Sequence, residues 1–203
     1  MKLFRVTCCL FVLLLSLVAF VAVHPAIAQT LNPPPPSFET CKTVGSGTIC
    51  QGEETVSFGP VDTGIVCGSG SSTFDVSDGP DVFDLAAIRY YDQNGNLTKR
   101  VIHENYSVGQ FSNPLNGALV PYTQHTISTD VLAVPGDLTT TTNTTTGEVI
   151  VKPAHGSPVF ADVGRVVSAF DGTIEFQAGR DSSIDYFVEG DTSVIQKLCA
   201  ALA

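Results

Sequence analysis

Four carboxylates within ten residues, Asp75, Asp78, Asp81 and Asp84, form the densest set of metal-capable side chains in this sequence, and they straddle Gly79-Pro80. Ca2+ takes several oxygen ligands from irregular acidic loops, and extracellular modules bind it weakly. The four aspartates are therefore candidate Ca2+ ligands, the one cofactor the sequence suggests. Their spacing is not that of an EF-hand, in which Gly and a distal Glu hold fixed places. Asp is also a frequent turn residue, so plain turn formation is the simpler reading. Asp92-Gln93-Asn94-Gly95-Asn96 has a similar look, but its Gly comes two places too early and the segment reads as a hairpin turn.

Nucleophilic and zinc chemistry find less support. His103, His125 and His155 stand in three separate segments, without H-E-x-x-H or H-x-H spacing. Gly45-Ser46-Gly47 and Gly68-Ser69-Gly70 lack the G-x-S-x-G spacing of a nucleophile elbow. No catalytic residue is assigned, and an enzyme would have to gather its histidines by folding. Tyr90, Tyr91, Tyr106, Phe111 and Tyr122 are candidates for a sugar- or lipid-binding face, with core packing as the cheaper explanation.

Cysteine usage and the first residues set the compartment. Lys2 and Arg5, an apolar run from Leu10 to Val23 and Ala26-Ile27-Ala28 read as a signal peptide over residues 1–28. The expected destination is extracellular. Four of six cysteines then remain, Cys41, Cys50, Cys67 and Cys199, and an even count in an exported chain suggests two disulfides. Three connectivities are possible. The favoured one joins Cys41 to Cys50 around a Gly-Ser-Gly loop and Cys67 to Cys199, tying an early strand to the tail. The net formal charge is −10, and the leader carries bases but no acids, so its removal deepens the deficit. Such a chain repels nucleic acid and anionic lipid, which require Lys/Arg clusters. No nucleic-acid partner is expected, and no membrane association after cleavage.

The remaining elements must position these groups. Residues 29–40 hold Pro33-Pro34-Pro35-Pro36 and read as an extended arm spacing the domain from its processing site. Residues 41–203 read as one disulfide-pinned β domain. Val159 to Gly179 carries alternating apolar runs around Asp171-Gly172, a strong hairpin signal. A two-residue turn would set Ala169 opposite Ile174 and Val167 opposite Phe176, giving one apolar face around which neighbouring strands assemble. A second hairpin surrounds Asn94-Gly95. The threonine run from Leu138 to Thr146 suits an exposed strand, because branched Cβ atoms fit a pleated surface. Only the tail reads as helical: Asp191 or Thr192 can cap it, and Val194, Ile195, Leu198, Cys199 and Leu202 form one stripe. The expected fold is all-β, an antiparallel up-and-down barrel with a short C-terminal helix, the alternative being a two-layer sandwich.

The segments GRVVSAFDGTIEFQAGRD and KLCAALA, with the early Val66-Cys67-Gly68, resemble a group of small secreted proteins of actinobacteria and similar soil bacteria. That resemblance implies the β fold and supports the Cys67–Cys199 pairing; it implies no activity. Three functions follow as expectations. The first is a non-enzymatic binding module holding a small apolar or sugar ligand in an interior lined by Val167, Ile174 and Phe176. The second is an extracellular contact protein stabilised by Ca2+. The third is an all-β enzyme using the histidines.

Overall fold

The computed structural model describes residues 30–153 and 158–203. The expected leader and the candidate His155 lie outside those residues. Among the described residues ten antiparallel strands make one sheet: β1 (Thr40–Val44), β2 (Gly47–Phe58), β3 (Val61–Cys67), β4 (Phe74–Asp78), β5 (Asp81–Tyr91), β6 (Leu97–Ser112), β7 (Leu119–Leu132), β8 (Thr141–Val151), β9 (Phe160–Ala169) and β10 (Ile174–Arg180). Strand order is β1-β2-β5-β6-β7-β8-β9-β10, with β4 joined to the far end of β6 and β3 to β4. The sheet does not close, since β1 and β10, the ends of that order, do not pair with each other. The all-β, antiparallel reading holds; the barrel does not.

The first half of the sheet is a long ribbon broken in the middle. Phe58 lies opposite Asp81 and Val61 opposite Asp78, so β2 and β3 run end to end beside β5 and β4. Gly59-Pro60 thus faces Gly79-Pro80 across the ribbon. Proline has no N–H to give the ladder, and two facing prolines interrupt it on both sides. Beyond this crossing β4 continues alongside β6, at Ser77–Ser112 and Asp78–Phe111.

Burial separates the two faces of the sheet. Along β7 the even-numbered Val120, Tyr122, Asp130 and Leu132 are buried, whereas no odd-numbered residue from Leu119 to Val131 is. Pairing carries this division across the sheet as an inner and an outer face. One inner-face cluster joins Phe74, Val76, Val120, Tyr122, Val151 and the tail residues Leu198 and Leu202. A smaller one at the opposite end joins Cys50, Tyr91, Leu97 and Leu132 with Leu31. The core is completed by short segments laid over the inner face, not by closure or a second sheet.

The N-terminal cover is the expected arm, and it is a docked strap instead of a spacer. Asn32 exchanges backbone hydrogen bonds with Gly95 and Leu97, each 2.8 Å, and Tyr91 Oη donates to the Pro33 carbonyl at 2.9 Å. Glu39, 8% exposed, pairs with Arg89 at 2.7 Å. Gly52 makes room: a Cβ there would lie 2.4 Å from the Phe38 carbonyl oxygen. The C-terminal cover comprises α1 (Ser182–Phe187), a 3-10 turn (Thr192–Ile195) and α2 (Gln196–Leu202). Asp191 caps the turn by accepting from the Ser193 N–H. Ile195, Leu198 and Leu202 turn inward, as the tail stripe requires. Asn113 and Asn116 donate to the Leu202 carbonyl, satisfying a helix-end acceptor.

The Asp-Gly hairpin differs from its expected form and place. Gly172 N–H donates to the Ala169 carbonyl and Ala169 N–H to the Thr173 carbonyl, which makes the loop three residues long. Gly172 takes the left-handed position at φ +85°, as the third residue of such loops does. Asp92 to Asn96 repeats the same bonds, with Gly95 at +80°. A bulge then pairs Ile174 with Ser168 on the inner face while Phe176 returns to Val167 on the outer. Val167, Ile174 and Phe176 therefore share no interior. The hairpin ends the sheet, and Phe176 is 50% exposed.

Both expected disulfides are present. Cys41–Cys50 is a cross-strand bond between directly paired residues of β1 and β2, and Cys67–Cys199 pins α2 to the end of β3. The second spans 132 residues and the first 9. In the chain-entropy description they contribute about 5 and about 2.5 kcal/mol respectively. Urea unfolding should accordingly show the Cys67→Ser/Cys199→Ser protein losing clearly more stability than the Cys41→Ser/Cys50→Ser protein. Equal losses would contradict this assignment.

Candidate functional site

The C-terminal cover does not seal against the sheet. Between them lies a cleft of about 260 Å3. Phe111, Val149 and Phe160 of the inner face form its floor, Ile65 of β3 one side, and Tyr186 and Phe187 of α1 the roof. Tyr186 and Phe187 pack edge to face at 4.8 Å, and Phe187 is 55% exposed at the opening. Gln124, Asp162 and Ser182 bring polar groups to the same space. An apolar hollow with a few convergent polar groups is the usual form of a small-molecule site.

Asp162 is the hinge of this arrangement. Its two carboxylate oxygens accept from the Ser182 N–H and hydroxyl, both at 2.8 Å, holding the first turn of α1 against β9. Arg180 approaches to 3.9 Å. Burial raises the Asp162 carboxyl above its ordinary value, although the Ser182 bonds and Arg180 pull the other way. Beside Asp162 the floor continues as a furrow. Gly147, Gly164 and Gly179 lie in register across β8, β9 and β10. A Cβ on any of them would stand 2.1–2.5 Å from a carbonyl oxygen of a neighbouring strand. The sheet therefore creases along a row without side chains. Thr126, Thr145 and Val166 border the furrow, which adds about 70 Å3. Further along the inner face a polar chain runs from Arg100 to Asp130, Asn143 and Thr145 to Ser128.

The four candidate aspartates do not converge. Asp75 and Asp84 are exposed on β4 and β5, and Asp84 accepts from the Thr55 hydroxyl at 2.9 Å. Asp78 and Asp81 alone come together, across the Gly79-Pro80 corner. Tyr122 Oη donates to Asp81 at 2.6 Å and lies 3.0 Å from Asp78, and the Gln110 N–H donates to Asp81 at 2.9 Å. Tyr122 lies over Gly109, where a Cβ would meet its ring at 2.2 Å. No group of three His, Cys, Asp or Glu able to hold a metal occurs among the described residues. The acidic stretch is two strand ends around a turn, so half its carboxylates point away from the others.

The histidines and aromatics also separate by face. His103 and His125 stand exposed on the outer face, on adjacent strands, and neither is hydrogen-bonded to a carboxylate among the described residues. Tyr91, Tyr106, Phe111 and Tyr122 face inward, and Tyr90 outward beneath Lys99 at 5.7 Å. Phe83 stacks on Tyr106 at 4.4 Å and Phe111 meets Tyr122 at 4.9 Å. Of the five only Phe111 reaches the cleft. Asp162, Ser182, Tyr186 and Phe187 were not expected there. The signal was available: Asp181 before two serines caps a helix, accepting from the Ile184 N–H, and Ile184, Phe187 and Val188 keep helical spacing.

No family model, curated protein or solved structure matches the chain. Among the described residues no helix is long and apolar enough to cross a membrane.

The Asp78–Asp81 corner makes stability depend on pH. Burial first, then the neighbouring Asp81, pushes the Asp78 carboxyl up to about 6 from an ordinary 3.8. The folded chain thus keeps a proton that the unfolded chain has released across that interval, and stability falls as pH rises through it. Because Asp78 is partly exposed, the loss is about 1 kcal/mol after allowance for solvent screening. Asp78→Asn should remove this slope and raise the melting temperature at neutral pH. Melting curves from pH 4 to 7 that leave the slope unchanged in the variant would rule out Asp78 as its source.

Proposed function

We propose that this is a secreted, non-enzymatic module that binds a small, mainly apolar molecule in the cleft between the inner sheet face and the C-terminal cover. The observation that carries this reading is the cleft itself: about 260 Å3, with aromatic and aliphatic side chains on floor and roof and polar groups gathered at Asp162. That volume is close to the lower end for small-molecule pockets, which favours a compact ligand. The apolar walls favour a hydrophobic body over a sugar. Glycan sites want polar groups along the whole ligand, and here they stand at one end. Two disulfides and the leader-like first 28 residues support export. An extracellular contact role has the uncovered outer face in its favour. Calcium stabilisation lacks comparable support, with Asp75 and Asp84 turned away from the corner.

Binding of an environment-sensitive naphthylamine dye to the oxidised protein, with native mass spectrometry of the same sample, tests the cleft. Val149→Phe fills the floor, and Phe187→Ser removes the apolar lip at an exposed position. Both variants should melt cooperatively, with dye affinity at least about tenfold lower in Val149→Phe and reduced in Phe187→Ser. A folded Val149→Phe protein that binds the dye as well as the parent would overturn the assignment.

A further inference from the structure

The outer face is left bare. Among the described residues of β2 and β5 to β10, no outward-facing side chain is buried, yet the face carries an apolar centre. Ile88, Val101 and Val167 are half-buried there, Ile127 is 44% exposed and Val131 50%. Stable domains set a second layer against such a surface. Seven strands ~4.8 Å apart, with the central three outward residues ~6.8 Å apart on each, present roughly 700 Å2, close to the ~800 Å2 per partner of a stable interface.

The two ends of this face are unlike each other in a complementary way. Around Ala86 on β5 it sinks into a hollow of about 610 Å3, lined by Gln51, Glu53, Ile88 and His103. At the other end Phe176 rises from β10 at 50% exposure, with the Arg165 guanidinium 5.9 Å from its ring centroid. Hollow and knob lie at the same height along the strands. Glu53 pairs with Ala86, Ala86 with His103, His103 with Ile127, Ile127 with Thr146 and Thr146 with Arg165. Likewise Gln51 and Ile88 share a row with Val167 and Phe176.

We propose that the protein forms a face-to-face dimer through its outer sheet face, Phe176 and Arg165 of each copy entering the Ala86 hollow of the other. A two-fold axis parallel to the strands and near β7 turns each sheet end for end while keeping height along the strands. It sets the knob of one copy over the hollow of its partner, and Arg165 against Glu53. Ile127 lies near the axis and meets its own counterpart. The result is a two-layer β-sandwich made from two chains, with both ligand clefts on the outside and open. Such an isologous contact is self-limiting.

Sedimentation velocity of the oxidised protein across the micromolar range tests this. The expected result is a monomer–dimer equilibrium. Ile127→Lys, on an exposed position, should leave a folded monomer with unchanged circular dichroism. Glu53→Arg and Arg165→Glu should each weaken association by about tenfold or more, and the double exchange should restore it. A monomer at all concentrations would overturn the proposal, as would a dimer that survives Ile127→Lys. Failure of the double exchange to restore association would overturn the two-fold arrangement.

Discussion

The structure depends on one constraint: a single sheet must bury one of its faces using very little additional chain. A strap of ten residues and a tail of about twenty cover the inner face, one at each end. Neither is large enough to hold by apolar area alone, and each is fastened at specific points. The tail is fastened by Cys67–Cys199 and by the Asp162–Ser182 bonds. The strap is fastened by backbone bonds at Asn32, by the Tyr91 hydroxyl and by the Glu39–Arg89 pair. Removing one partner of a buried ion pair leaves an uncompensated charge, a cost of roughly 3–5 kcal/mol. The strap is therefore a part of the fold and not an appendage.

The cleft follows from the same economy. A second sheet would have packed flush against the inner face. A cover made of two short helices and a turn touches it at separated points, leaving space between α1 and β9. The crease at Gly147, Gly164 and Gly179 deepens that space, because no side chain rises from the row. At the corner formed by Gly79-Pro80, by contrast, the buried carboxylates are taken up within the protein by Tyr122 and a backbone N–H. The corner is a structural joint, whereas Gln124, Asp162 and Ser182 border open space in the cleft.

Much of this was legible in the sequence, and the reasons for the failures are local. Strand content, both turns and the tail stripe follow from patterns that act over a few residues; the even cysteine count left three pairings open, and the favoured one is present. The loop length at Asp171-Gly172 did not follow, because the same dipeptide serves two-residue turns and three-residue loops alike. That difference, followed by the bulge after Ile174, moved Ile174 to the opposite face from Phe176. Helix α1 was readable from Asp181 and the Ile184, Phe187, Val188 spacing, but six residues are too few to stand out beside long β runs. The four aspartates misled for a different reason: proximity in sequence says nothing about direction once a strand alternates faces.

Why the sheet stays open also lies in particular residues. Closure requires the β1 and β10 edges to pair, and both are poorly suited to it. β1 is five residues long. β10 is seven residues long and carries the bulge between Ile174 and Phe176. Short, bulged edges resist both closure and edge-to-edge addition of further chains. With the edges blunted and the inner face covered at its ends, the outer face is the sheet surface left uncovered among the described residues, with Ile127, Val131, Val163 and Phe176 exposed on it. The acidic net charge opposes self-association at long range. That repulsion is screened beyond ~8 Å at physiological ionic strength, whereas Arg165 against Glu53 would act at contact distance. Local complementarity can therefore prevail over the overall charge, and it does so only for a partner that presents the same face turned end for end.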